Sequence, residues 1–222
     1  MQPLLFIAIT LAAATLFYLA TGQDRRIWPV LLCWILGYGA LSFTGFFEQT
    51  QTMPPRMLAV ILPVVAGVVY YYRKAPVAAL QPLWLVSVHA MRLPVELMLY
   101  RLYLQGKVPV IMTFEGWNMD IVMGITAIGI VAYAWRKPAV LRQRWFAVWN
   151  VLGILLLSII VLTAILSAPS PVQCLALNQP NTAILLFPYT FLPAVVVPLV
   201  LLSHLLALKQ WRLLHKTPAA QD

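Results

Sequence analysis

Long apolar runs broken by short polar joints set the pattern of this chain from end to end. A helix needs about 20 mostly apolar residues to cross a bilayer core of about 30 Å. Runs of about that size predict helices over 3–20, 27–47, 57–72, 82–104, 119–135, 145–168 and 183–208. The third run is short. Its closing Tyr70, Tyr71 and Tyr72 suit a membrane–water interface, where amphipathic rings collect. The last run holds Pro188, Pro193 and Pro198. A proline removes a helical hydrogen bond and crowds the preceding turn, so an undisturbed helix is not expected there.

The joints carry the charge. Arg25 and Arg26 fall in the first, Arg73 and Lys74 in the third, and Arg136, Lys137, Arg142 and Arg144 in the fifth; Lys209, Arg212 and Lys216 fall in the tail. Only Arg56 and Lys107 fall in the alternate joints, and Arg92 and Arg101 lie within the fourth run. Basic residues collect in cytoplasmic loops. The expectation is an all-α, polytopic integral membrane protein: one transmembrane domain over 1–222, a seven-helix bundle, with the N-terminus outside and the C-terminus cytoplasmic. Small residues at Ala20-Thr21-Gly22 would suit a signal-peptide cleavage site, but no positive charge precedes the first run, so it is read as a retained span.

Composition agrees. The 222 residues are 62% hydrophobic and 9% charged, against about 25% charged in a soluble domain. The net charge of +9 sits in the joints, so it is read as an orientation signal and not as a nucleic-acid surface. Cys33 and Cys174 fall toward opposite faces, which argues against a disulfide between them. Short joints and the lack of an Asn-x-Ser/Thr sequon fit a bacterial cytoplasmic membrane, with lipids as the immediate neighbours.

The fourth run holds the chemistry. With His89 at zero, a helical advance of 100° per residue puts Arg92 at about 300°, Glu96 at about 340°, Tyr100 at about 20° and Tyr103 at about 320°. All five share an arc of about 80°, which must face the interior. An arginine near mid-membrane costs about 2.5–3.5 kcal/mol on insertion scales, so it needs a partner or a wet cavity. Glu96, one turn on, is the expected partner. Pro94 lies between them and frees the carbonyl of Ala90. Arg101 points the other way, near the outer end.

A second polar cluster follows: Met112-Thr113-Phe114-Glu115-Gly116-Trp117-Asn118-Met119-Asp120. It stands just beyond the outer end of the stripe and is expected to fold over a pocket there, with Glu48, Gln49 and Gln51 at the rim. Asn178, Gln179, Asn181 and Thr182 are placed to cap the seventh run.

Several functions are excluded. No lysine lies within the seventh run to hold retinal. His89 is placed mid-run, His204 near the inner end of the seventh run and His215 in the tail, so the three are not expected to converge on a metal or haem. No serine elbow or phosphate-cradling loop occurs. No cofactor and no metal are expected. The leading expectation is a non-enzymatic protein that binds, senses or transports a small molecule or lipid through an outward-facing pocket lined by His89, Arg92, Glu96, Tyr100, Tyr103, Glu115, Asn118 and Asp120. The runner-up is a membrane enzyme acting on a lipid or isoprenoid with Glu96, Glu115 and Asp120 as acid or base. A third reading is a structural or assembly subunit of a membrane complex.

Overall fold

The protein is described by a computed structural model covering residues 2–216. Met1 and residues 217–222, the two ends of the expected single domain, lie outside the described residues. The α-helices are α1 (Gln2–Ala20), α2 (Ile27–Phe43), α3 (Leu58–Lys74), α4 (Pro82–His89), α5 (Arg92–Leu104), α6 (Asp120–Arg136), α7 (Arg144–Ser167) and α8 (Val197–Lys216). No strand occurs among the described residues. Three helical stretches are long and apolar enough to cross a membrane: α1, α7 and the continuous helix Leu192–His215. α2, α3 and α6 are each 17 residues long.

Two runs depart from the sequence expectation, and prolines account for both. The fourth is split into α4 and α5 by a turn at Ala90–Met91. Pro94 has no N–H to give the Ala90 carbonyl, which instead accepts a tighter bond from Leu93 N at 3.2 Å. The seventh does not run 183–208. A short 3-10 turn (Ala183–Leu185) and an irregular stretch precede a wide π-type turn, Leu192–Val196, which leads directly into α8. Pro198 cannot donate to Ala194 O, and the indole N–H of Trp34 on α2 fills that acceptor at 2.9 Å. The helix therefore starts later than expected and continues to Lys216. α2 is also shorter than expected, because Gly45 at φ +72° ends it before a 3-10 turn at Phe46–Glu48.

α8 is the hub, packed against α1, α3, α4 and α7. α4 packs on α1 and α6 as well, and α5 lies along α6. α2 is outermost, with only Ile27, Ile35, Gly39 and Ser42 buried. Large aliphatic side chains also face outward. α7 turns Val148, Val151, Leu152, Leu155, Ile159 and Leu162 outward, each 44–59% exposed, while it buries Asn150, Thr163 and Ser167. Its outward residues recur at spacings of three and four, the period of one helix face.

The segment between α5 and α6 turns back into the bundle. Gly124 on α6 lies so close to Leu93 on α5 that a Cβ would strike the Leu93 backbone, which sets the register of the two helices. In antiparallel helices this places Asp120 level with Leu97, about 10 Å below the end of α5. Met112, Thr113 and Asn118 are accordingly buried. The loop after α7 laces over this segment. Thr182 N and Ala183 N both donate to Lys107 O at 3.0 Å, and Gln179 Nε2 donates to Val108 O at 2.6 Å.

Candidate functional site

The re-entrant segment and the break between α4 and α5 bring polar side chains from five helices to one place. Arg92 opens α5 and is 3% exposed. Its fork grips Asp120, the first residue of α6, through Nη2–Oδ1 at 2.7 Å and Nε–Oδ2 at 3.1 Å. This bidentate geometry is the strongest form of the Arg–carboxylate pair. The same Nη2 also donates to the Gly153 carbonyl on α7 at 3.4 Å. The expected pairing of Arg92 with Glu96 does not form. Asp120, 28 residues along the chain, takes that place because the re-entrant segment carries it down beside the guanidinium.

The remaining guanidinium donor faces α8, with Arg92 Nη1 3.2 Å from His204 Nε2. On the far side of the ring, His204 Nδ1 is 2.9 Å from Asn150 Oδ1 on α7. Asn150 Nδ2 is committed to the Phe146 carbonyl at 2.8 Å, so its oxygen is the atom turned to the ring. An amide oxygen only accepts, which fixes the proton on Nδ1 and leaves Nε2 as the acceptor for Arg92. Gly153 permits this approach, since any Cβ there would run into the His204 ring and the Met123 methyl. His89 closes α4 and stacks on His204, with ring centroids 3.7 Å apart and planes at 25°; its own edge contact is with Trp149 at 5.3 Å.

The sequence expectation that these histidines stay apart is therefore overturned for His89 and His204. α8 begins at Val197 and is entered through the π turn at Leu192, so His204 sits at the middle of the continuous helix and not at its inner end. His215 remains distant, stacked on Trp211. Among the described residues, no three of His, Cys, Asp and Glu gather where a metal could be held.

Glu96 is 2% exposed and accepts from Asn118 Nδ2 at 2.6 Å. Asn118 also donates to Met112 O at 3.0 Å, and its Oδ1 accepts from Asp120 N at 3.0 Å, an Asx arrangement that starts α6. Glu96 and Asp120 thus meet through one amide. Two polar atoms of the stripe are buried with no hydrogen-bond partner among the described residues: Glu96 Oε2 and His89 Nδ1.

The outer part of the expected pocket is arranged differently. Glu115 is exposed and accepts from Tyr100 OH at 2.9 Å, away from Glu96 and Asp120. Tyr100 lies over Phe114 and beside Tyr103, both tyrosines half-buried. Of the residues expected to share one site, His89, Arg92, Glu96, Asn118 and Asp120 are brought together in the interior, whereas Tyr100, Tyr103 and Glu115 form a separate patch nearer the surface. His204, Asn150 and Gly153 complete the interior group and were not among the expected residues. The readable signal for the first two was a polar side chain within an apolar run.

Comparison with curated proteins finds no match, and comparison with solved structures finds none either. Residues 53–212, which hold every member of the interior polar group, match a family described as a domain of unknown function, DUF8737, and the chain belongs to that family.

Proposed function

We propose that this chain crosses a membrane seven times, with its N-terminus outside and its C-terminus in the cytoplasm of a bacterial cell. The support is physical. Buried charge and outward aliphatic faces are the arrangement that lipid demands, because polar groups must be satisfied within the protein. In water, the exposed face of α7 would be an apolar patch of the kind that soluble monomers avoid. Basic residues in alternate joints give the orientation. The 17-residue helices reach the lower limit for a crossing, and the broken α4–α5 pair spans Pro82–Leu104.

Within that bundle, the interior polar group binds a small, hydrogen-bonding molecule, as the recognition step of sensing or transport. One observation carries this reading: Arg92 is satisfied, while Glu96 Oε2 and His89 Nδ1 on the same stripe are buried and open. A group serving structure alone is expected to close every such atom, since each orphan costs about 1–3 kcal/mol. Because Asp120 occupies the guanidinium, the ligand is neutral or cationic and offers a donor to Glu96. The re-entrant segment bearing Asn118 stands between this position and the outside.

Native mass spectrometry of the wild type beside Glu96→Gln tests it. A small mass retained by the wild type and lost from a folded Glu96→Gln protein is expected. An identical mass spectrum from both proteins would sink the ligand reading. That outcome would favour the structural or assembly role, for which the near-complete burial of Arg92 and Asp120 is the supporting observation.

A further inference from the structure

A cavity lies away from the polar group, between α2 and α3. It encloses about 390 Å³, within the range of about 300–1,000 Å³ typical of ligand sites. Its back wall is Phe17 of α1 and the π turn with the start of α8, from Ala194 to Leu202. At one end, toward the middle of α2 and α3, stand Trp34 and Val64. At the other end stand Asp24, Arg26 and Lys74. Everything between is almost entirely apolar.

Two features select an occupant. Along α3 the lining runs from Val64 to Lys74. Those eleven residues rise about 15 Å, half of a bilayer core of about 30 Å. The length is that of one leaflet. The charged end is the one carrying the basic joints, and neither Arg26 nor Lys74 forms an ion pair among the described residues. Two cations against the single Asp24 leave the mouth positive.

We propose that this cleft holds one acyl chain of an anionic phospholipid from the cytoplasmic leaflet, with its phosphate at Arg26 and Lys74. The site rests on the membrane reading above and is independent of the ligand proposed for the polar group.

Gly67 gives a clean test. It lines the cleft, and a Cβ there meets nothing within 4 Å. Gly67→Phe therefore fills the cavity without a backbone collision and raises helix propensity. The full-length protein is reconstituted into nanodiscs of mixed phosphatidylglycerol and phosphatidylcholine and released for native mass spectrometry. The wild type should retain one phosphatidylglycerol in preference to phosphatidylcholine. Gly67→Phe should lose the retained lipid of either type. The double variant Arg26→Ala, Lys74→Ala should keep a lipid but lose the headgroup preference by at least about tenfold, since one cation near the surface is worth roughly fivefold and two together more than tenfold. Equal retention by Gly67→Phe, or a wild type indifferent to headgroup, overturns the proposal. Protein washed from vesicles by alkaline carbonate would instead remove the membrane reading, and this site with it.

Discussion

At the scale of single residues, the partner of Arg92 decides which substitutions matter. Removing one member of a buried ion pair leaves an uncompensated charge and costs about 3–5 kcal/mol. Asp120→Asn should therefore destabilise the protein by about that amount in thermal or denaturant unfolding in detergent. Glu96→Gln should cost roughly 1 kcal/mol or less, because a glutamine oxygen still accepts from Asn118 and no charge is orphaned. The reverse ranking would place the stabilising pair within α5, as the sequence spacing suggested. That spacing correctly gathered His89, Arg92 and Glu96 on one inward stripe, since a helical period is local information. It misplaced the ion pair because Asp120 reaches Arg92 through a re-entrant segment, and no periodicity encodes how deep a loop descends.

Among elements, the start of α8 shows how a proline on one helix creates a docking point for another. The Ala194 carbonyl is open because Pro198 has no N–H, and Trp34 of α2 occupies it. Trp34→Phe should cost about 0.5–1.5 kcal/mol, the net value of one such bond. In a Pro198→Ala background the carbonyl regains an intrahelical donor, so the same change should cost measurably less. A double-mutant cycle reads this coupling, and strictly additive losses would refute the assignment. The three prolines in this region were visible in the sequence as a disturbance. Their effect on register was not, because a π turn and a delayed helix start shift every later residue relative to the run that hydropathy marks. His204 moved from an expected helix edge to the centre of the buried group by that shift alone.

For the whole molecule, the proposed seven-crossing arrangement would place the two free cysteines in different surroundings. Cys174 is exposed in the loop after α7, and Cys33 is exposed on the outward face of α2. A membrane-impermeant maleimide applied to intact spheroplasts should label Cys174 and leave Cys33 unmodified. Labelling of Cys174 only after permeabilisation would invert the orientation. Helix content and most boundaries were legible because long apolar runs bounded by polar joints mark helices; the split fourth run and the shortened second were not, since a break at Ala90–Met91 and a left-handed Gly45 leave mean hydropathy unchanged. The Arg92–Asp120–His204 connection also has a consequence for biosynthesis. Arg92 leaves the ribosome 28 residues before Asp120 and 112 before His204. In the membrane reading, an insertion machinery handing over one helix at a time would release a bare guanidinium into lipid. The α5–α6 hairpin must then be held at the translocon and delivered as a pair, and the finished bundle closes only when the last helix arrives.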